Sequence, residues 1–234
     1  NVLAGGFARG RLYLLEGSPG TGKTTLATQF LIEGAARGER CLYITLSETD
    51  GEMRESARSH GWDLAGIDVF ELVPADDFLA EEQQQSLLYS SDLELGETTK
   101  RMLAVLRERK PDRVVLDSLS EIRLLAQGSL RYRREILALK HYFAQQMITV
   151  LMLDDLTAEA TDKTVHSVAH AVIRLEELSP TYGSERRRLR VIKYRGRRFR
   201  GGYHDFVIET GGLRVFPRLI SAEHKRSFER DVLT

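Results

Sequence analysis

Cysteine, proline and long apolar runs are all scarce in this chain, and each scarcity narrows what the protein can be. Its 234 residues include one cysteine, Cys41, and five prolines. A lone thiol excludes an internal disulfide framework and is typical of a reducing compartment, so we expect a cytoplasmic protein. The longest apolar runs, such as 148–153, have the length of a strand and fall far short of the roughly 20 residues that a membrane-spanning helix needs. We therefore expect no membrane partner.

The chain also lacks an excess of charge of either sign. It holds 34 Lys and Arg against 34 Asp and Glu, which gives a formal net charge of zero. Affinity for nucleic acid comes mainly from clustered cations that neutralise phosphates, so the overall charge does not favour such a partner. Hydrophobic residues make up 42% of the chain, as in an ordinary globular protein. We expect residues 1–234 to form one domain.

Short apolar, β-branched runs alternate with helical spacing through the first two thirds of the chain. We predict strands at 11–16, 41–46, 67–72, 113–117 and 148–153, and helices at 23–36, 51–59, 97–109 and 130–145. This alternation is typical of an α/β fold with a mostly parallel central sheet flanked by helices. Ligands of such folds bind beyond the carboxyl ends of the strands.

The pattern changes after residue 170. Predicted strands at 171–175, 189–194 and 205–208 are separated by glycine-rich turns instead of helices, which indicates an antiparallel, β-rich C-terminal edge. The acidic, glutamine-rich segment 76–97 has no strong period, and we interpret it as a solvated excursion.

A phosphate-binding motif follows the first predicted strand. Gly17-Ser-Pro-Gly-Thr-Gly-Lys-Thr24 matches G-x-x-x-x-G-K-[ST] and opens the first predicted helix, which is the context that the motif's mechanism requires. Gly17, Gly20 and Gly22 let the backbone fold tightly around phosphate oxygens, while N–H groups at the helix start point at the negative charge. The motif predicts a P-loop that binds ATP.

Side chains in and near this motif are assigned to the triphosphate and its Mg²⁺. Lys23 supplies a cation to the β- and γ-phosphates, and the Thr24 hydroxyl is placed to ligate Mg²⁺. We assign Thr21 and Thr25 to the nucleotide as well, Thr25 near the α-phosphate. Asp117 ends the run Arg-Val-Val-Leu-Asp, where a carboxylate can hold Mg²⁺ through water; the alternative is a cap for the next helix.

Hydrolysis also needs a group that accepts a proton from, or orients, the attacking water. The strand at 41–46 is followed by Ser47-Glu48-Thr49, which should lie at the same sheet edge. Glu48 is our candidate for this base. A solvated loop glutamate, or a partner of a helix N-terminus, is the alternative.

Positive charge is concentrated near the C-terminal end, because 181–200 carries nine Lys or Arg against one acidic residue. We interpret Arg186, Arg187 and Arg188 mainly as guards of an edge hairpin. Contact with nucleic acid, as in a RecA-like DNA-dependent ATPase, is the alternative.

Two further pairs stand out in the region 154–170. His166 and His170 lie four residues apart, and without a nearby third ligand we interpret them as surface histidines rather than a metal site. Asp154 and Asp155 follow a predicted strand. They either sense the γ-phosphate or simply end that strand.

Several separate strings make the whole chain resemble the KaiC-like branch of the RecA superfamily. Besides the P-loop, these are Ala57-Arg-Ser-His-Gly-Trp-Asp-Leu64, Glu94-Leu-Gly-Glu-Thr98, Asp117-Ser-Leu-Ser120, Tyr132-Arg-Arg-Glu135 and Lys193-Tyr-Arg-Gly196. The resemblance implies a RecA-like fold and Mg²⁺-dependent ATP hydrolysis. It also implies self-association into a ring, a hexamer in the family, whose nucleotide state is coupled to a signalling partner.

The same resemblance assigns roles to three more residues. Lys193 and Arg195 match a Lys-x-Arg pair that reaches into the ATP of the neighbouring subunit, so they would act in trans. Ser59 would lie against the adenine. The family carries two adjacent glutamates after its second strand, whereas Ser47 stands here in place of the first, and a nucleotide-gated interaction module with little turnover is therefore an alternative. The two ends resemble domain boundaries, from which we expect the first domain of a tandem two-domain protein.

Overall fold

The structure is a computed structural model that describes residues 2–72, 87–156, 164–179 and 181–220. In these residues there are nine strands and six helices; strands are interspersed with helices up to residue 170 and only strands follow, as the sequence predicts. The strands are β1 Leu12–Glu16, β2 Cys41–Thr45, β3 Ile67–Glu71, β4 Arg113–Asp117, β5 Thr149–Asp154, β6 Ala171–Leu178, β7 Arg186–Tyr194, β8 Tyr203–Glu209 and β9 Gly212–Phe216. The helices are α1 Lys23–Ala35, α2 Asp50–Ser59, α3 Leu87–Arg109, α4 Leu119–Ala126, α5 Ser129–Gln145 and α6 Thr164–Val168.

All nine strands form one sheet in the order β3-β2-β4-β5-β1-β6-β7-β8-β9. The pairings from β3 to β6 are parallel, and those from β6 to β9 are antiparallel. The predicted α/β, RecA-like fold with an antiparallel C-terminal edge is confirmed. We call the edge where β1 to β6 end the carboxyl edge, and the opposite one the amino edge.

Helices cover both faces of the parallel part, because its strands are apolar on both sides. Leu14 of β1 packs in a cluster with residues of α3 to α6, and Leu15 packs on the other face with α1, α2 and the antiparallel strands. Both leucines are fully buried. Each such side chain contributes about 1.5–3 kcal/mol by leaving water, so the centre of the sheet is a rigid platform for the loops at its edges.

Four elements differ from the prediction. The strand β9 and the helices α4 and α6 were not predicted as elements, and α3 begins ten residues earlier than expected. Of the supposed excursion at 76–97, residues 76–86 lie outside the described part, and 87–97 are helical, so that interpretation is wrong for the second half. There Leu95 is buried against the sheet. No helix in the described ranges has the length and apolarity to span a bilayer.

Candidate nucleotide site

The predicted P-loop connects β1 to α1 at the carboxyl edge of the sheet, and its backbone is tightly enclosed. A Cβ atom added to Gly17 would lie 2.6 Å from Thr21 Oγ1 and 2.7 Å from the Leu175 carbonyl oxygen. At Gly22, which caps α1 with a positive φ of 94°, it would meet Ile208 Cδ1 at 2.5 Å. Only glycine fits such positions, and the resulting concave backbone at a helix N-terminus suits a phosphate chain.

The side chain of Lys23 is buried in this loop with only 6% of its surface exposed. Its ammonium donates hydrogen bonds to the carbonyl oxygens of Gly17 at 2.9 Å and Ser18 at 3.0 Å. It also forms an ion pair with Asp155 Oδ1 at 2.8 Å. A buried cation has to be partnered, and here the partners fix the ammonium inside the loop, where phosphate oxygens would lie.

Asp155 is thus brought into the site, although the sequence left its role open. It follows β5, the neighbour of β1 in the sheet. Its Oδ2 accepts hydrogen bonds from the hydroxyls of Ser118 at 3.3 Å and Ser120 at 3.4 Å. The carboxylate therefore links the loop lysine to the segment that follows Asp117.

Asp117 ends β4 and lies beside the first turn of α1. Its Oδ2 accepts hydrogen bonds from Tyr43 Oη at 2.5 Å and from Thr24 Oγ1 at 3.4 Å. Burial raises the pKa of this carboxyl, and the nearby charge of Asp155 raises it further, against the lowering effect of Tyr43 and Lys23. A carboxylate that is costly to ionise alone gains from a bound cation.

Together these groups fit a triphosphate with Mg²⁺. The loop offers N–H donors and an ammonium, while Asp117 and Thr24 offer two oxygens of the kind that Mg²⁺ takes alongside phosphate oxygens. Thr25 is half-buried in the first turn of α1. The hydroxyl of Thr21 donates to the Ser18 carbonyl oxygen at 2.7 Å, inside the loop. The structure therefore gathers the predicted phosphate and metal residues at one place.

Glu48 follows β2 at the same edge, because β2 pairs with β4 and Thr45 lies opposite Asp117. Thr45 Oγ1 donates to the Glu48 carbonyl and accepts from its N–H, both at 2.9 Å, which fixes the backbone there. Burial raises the pKa of Glu48, followed by the charges of Asp117 and Glu52. A carboxyl whose pKa is raised towards neutrality is a better proton acceptor in catalysis.

Ser59 is the last residue of α2 and is exposed. Its hydroxyl donates to the Ser56 carbonyl oxygen at 2.7 Å, within the same helix. The helix end is held against the turn between β8 and β9, where the N–H of Gly211 donates to the His60 carbonyl at 2.8 Å. A contact between Ser59 and adenine stays a prediction.

Lys193 and Arg195 are not brought to the P-loop of their own chain. They lie at the end of β7, which runs antiparallel to β6, so that Tyr194 pairs with Ala171 at the amino edge. The loop begins four residues beyond Tyr13, the partner of Ala171 in β1, which corresponds to about 13 Å along the sheet. Instead, Lys193 donates to the carbonyl of His166 and Arg195 to that of Ser167, both in α6.

Sequence reasoning missed a buried ionic group next to the loop. Glu16, the last residue of β1, is 1% exposed. Its carboxylate lies 2.6 Å from Arg174 Nη2 and 2.6 Å from His166 Nε2. Burial alone would raise the pKa of Glu16, but His166 and Arg174 hold it below its ordinary value. A charged residue inside an otherwise apolar strand was the signal, because such a residue needs buried partners.

The interpretation of the two histidines as surface residues is corrected accordingly. His166 is engaged by Glu16, and His170 lies beyond the end of α6, so the two do not share a helix face. The ring of His170 makes edge contacts with the rings of Tyr13 and Tyr194. Both histidines are half-buried because the short α6 packs on the sheet.

The interpretation of the arginine run as an edge guard is also wrong. Strand β7 is internal, between β6 and β8. Its arginines face carboxylates on both neighbours: Arg188 lies 2.7 Å from Glu176, and Arg186 lies 3.1 Å from Asp205. The guanidinium of Arg188 also stacks 3.8 Å above the ring of Tyr203. Cross-strand pairing of this kind accounts for these arginines without any nucleic acid.

Comparison with known proteins gives a consistent result over nearly the whole chain. The family model described as "ATPase: KaiC" matches residues 1–220. The circadian clock oscillator protein KaiC of Parathermosynechococcus lividus is 31% identical over 224 residues, which cover 93% of this chain and 40% of that protein. The circadian clock protein KaiC3 of Synechocystis sp. is 28% identical over 230 residues, covering 95% and 45%. The chain thus spans less than half the length of these curated relatives.

Proposed function

Because this chain belongs to the KaiC family of P-loop ATPases, we propose that it binds ATP with Mg²⁺ and hydrolyses it slowly in a ring of several copies. The observation that carries the proposal is the buried ammonium of Lys23 in a glycine-enclosed loop, with Thr24 and Asp117 3.4 Å apart beside it. The nucleotide state of the ring would then control the binding of a signalling partner.

In this proposal the loop residues bind and orient the triphosphate. The N–H groups of the loop and the ammonium of Lys23 hold its oxygens, and Thr24 and Asp117 hold the metal, Asp117 through water. Bound Mg²⁺ supplies neutralisation of charge on the transferring phosphoryl group. Because Lys23 is fixed by two carbonyl oxygens and Asp155, little reorganisation is needed when phosphate oxygens arrive.

Glu48 orients the attacking water and accepts its proton. Its backbone is fixed by Thr45, and its pKa is raised by burial and by the neighbouring carboxylates. A single glutamate, with Ser47 beside it instead of a second carboxylate, supports slow turnover. The outcome that sinks this role is a Glu48→Gln variant that hydrolyses ATP at the wild-type rate.

Lys193 and Arg195 complete the site of another copy. They lie at the amino edge, whereas the loop of the same chain lies at the carboxyl edge, about 13 Å along the sheet. A contact that joins two different edges is heterologous, and it closes into a ring where the rotation permits. An arginine supplied in this way can accelerate phosphoryl transfer by roughly 10³ to 10⁵.

The experiment measures Mg²⁺-dependent ATP hydrolysis per copy against protein concentration. Wild type is compared with Lys23→Ala and Arg195→Ala. We expect activity per copy to rise with concentration, and both variants to lose it while Arg195→Ala still binds ATP. If wild type binds ATP but hydrolyses none at any concentration, a nucleotide-gated interaction module, which Ser47 favours, is the better function.

A DNA-dependent motor is the less supported function, since Arg186 and Arg188 already face Asp205 and Glu176. Addition of single-stranded DNA to the same assay distinguishes a DNA-dependent motor from the proposed ring ATPase. Stimulation that falls steeply with salt would favour the motor.

A further inference from the structure

A group of cations lies at the amino edge of the sheet, and most of them have no role in the nucleotide site described so far. Arg11, Lys140 and Arg195 line a cavity of about 140 Å³ there together with His170, and the charges of Lys193 and Arg197 act on His170. We call this group the amino-edge cluster, and its members are the cations Arg11, Lys140, Lys193, Arg195 and Arg197 together with the imidazole of His170. Only Lys193 and Arg195 of this set belong to the Lys-x-Arg pair.

The positive charge of the cluster is not balanced by nearby carboxylates, although the formal net charge of the chain is zero. Other cations of the same sheet are paired, as in the 2.7 Å contact of Arg188 with Glu176. Within the described residues, by contrast, Arg11, Lys140 and Arg197 have no carboxylate within ion-pair distance. Cations gathered without counter-charge repel each other, and an anion placed among them relieves that repulsion.

Two members have lowered pKa values, to which burial contributes most and neighbouring charges contribute further. Burial lowers the pKa of His170, and the charges of Arg11 and Arg195 lower it further. Burial also lowers the pKa of Lys193, followed by the charges of Arg195 and Lys140. An anion bound in the cavity would oppose the part of these shifts that the neighbouring charges cause.

The shape of the cavity limits what the anion can be. Lys140 of α5 lines the cavity together with the apolar residues Leu12, Phe143 and Val168. The volume is well below the roughly 300–1,000 Å³ that a site for a whole small molecule needs. It suits a phosphate group that is presented from outside, with the rest of the ligand held elsewhere.

We infer that the amino-edge cluster receives the polyphosphate of the nucleotide held by the P-loop of a second copy, and that Lys140 and Arg11 contact it beside Lys193 and Arg195. This inference rests on the proposed assembly, in which the amino edge of one copy meets the carboxyl edge of the next. Lys140 belongs to α5, and Arg11 directly precedes β1, so both are held by rigid elements or next to one. They add positive charge where phosphoryl transfer develops negative charge.

The test mixes two inactive variants of the protein. A donor copy carries Lys23→Ala and lacks a working loop, and a receiver copy carries Arg195→Ala and lacks a working cluster. Each is inactive alone under the proposed function, and in a random equimolar mixture about a quarter of the interfaces join a good loop to a good cluster. Restored hydrolysis therefore reports only on those interfaces.

Lys140→Gln is then added to one partner at a time. In the donor we expect the restored rate to fall about tenfold, the usual loss for one charge-assisted contact, and Lys140→Arg to recover most of it. In the receiver, where the cluster already lacks Arg195, the same change should have no further effect. Lys100→Gln, an exposed lysine of α3, is the matched control in the donor.

The outcomes separate the inference from the proposed function. If mixing restores nothing, completion of the site between copies is wrong. If mixing restores activity and Lys140→Gln in the donor has no effect, only the inference is overturned. An equal loss in donor and receiver would show a structural role for Lys140 and would also overturn the inference. The inference is likewise overturned if Lys140→Gln leaves hydrolysis unchanged but weakens the binding of inorganic triphosphate or an oligonucleotide.

Discussion

Lys23 Nζ lies 2.8 Å from Asp155 Oδ1, so the cation that we assign to phosphate is already paired with a carboxylate that follows the neighbouring strand β5. This pair has two opposed effects on a nucleotide. It fixes the ammonium in place, and it sets a negative charge beside the phosphates.

Asp155→Asn should tighten the binding of ATP. The loop carbonyls of Gly17 and Ser18 still hold Lys23, while the repulsion between a carboxylate and the phosphates disappears. At the effective dielectric of a protein surface this corresponds to about a three- to tenfold lower Kd for ATP. Titration calorimetry with ATP and Mg²⁺ measures it. Weaker binding would show instead that Asp155 holds the metal.

Glu48→Gln should lower the hydrolysis rate by roughly 10²- to 10⁴-fold, the range for loss of a general base. The affinity for ATP should stay within a factor of about two, because Glu48 is assigned to water and not to phosphate. Ser47→Glu supplies a second glutamate and should raise the rate. Steady-state hydrolysis and nucleotide binding distinguish these expectations from a purely structural role, in which both substitutions would alter stability more than rate.

Asp117→Asn should stabilise the metal-free protein at neutral pH. The pKa of Asp117 is raised in the folded state, mainly by burial, so its contribution to stability is full below the unfolded pKa and is lost as pH rises through the folded value. The uncharged amide of Asn does not ionise, so the variant keeps its stability as the pH rises. We expect a free energy of unfolding about 1 kcal/mol higher at pH 7 and no difference near pH 4.

Urea denaturation in EDTA at several pH values tests this prediction. Asp68→Asn is the control, because Asp68 is exposed and only loosely paired with Arg109 at 3.3 Å. A variant of Asp117 that is less stable at every pH would contradict the expectation. With Mg²⁺ and ATP present, Asp117→Asn should instead be less stable than wild type, since it lacks the carboxylate that is proposed to hold the metal.

Glu16→Gln should destabilise the protein by about 1–3 kcal/mol at pH 7, because the charge of Arg174 loses its buried partner. The pKa of Glu16 is held below its ordinary value, so its contribution is present above the unfolded pKa and disappears as pH falls through the folded one. The difference from wild type should therefore vanish in acid. Glu209→Gln, an exposed partner of Arg214 at 3.5 Å, should change stability by less than about 0.5 kcal/mol; equal losses in both variants would contradict the role of Glu16.

Local patterns were sufficient to predict most of the parallel sheet and the position of the P-loop at its carboxyl edge. The P-loop is a contiguous string, and Asp117 ends an apolar run, so the meeting of Thr24 and Asp117 follows from the general rule that parallel strands end at one edge. Fold class was predictable for the same reason.

Contacts between distant parts of the chain were not predictable in this way. The pair of Glu16 and His166 joins residues 150 positions apart, and α6, with five residues, is too short for a helical period to show. The internal place of β7 depends on β8, β9 and their pairing order, which no local pattern records. The lone arginine run therefore looked like an exposed edge.

The antiparallel direction of β7 has one more consequence. Since the Lys-x-Arg pair and the P-loop lie at opposite edges of one sheet, every copy in the proposed assembly would contribute half of two different catalytic centres and would hold no complete centre of its own. A linear row would leave a P-loop unused at one end and a Lys-x-Arg pair unused at the other, so a pair of copies would complete about half of its centres, whereas a closed ring would complete all of them. Loss of a single copy from the ring would silence its own centre and one belonging to a neighbour.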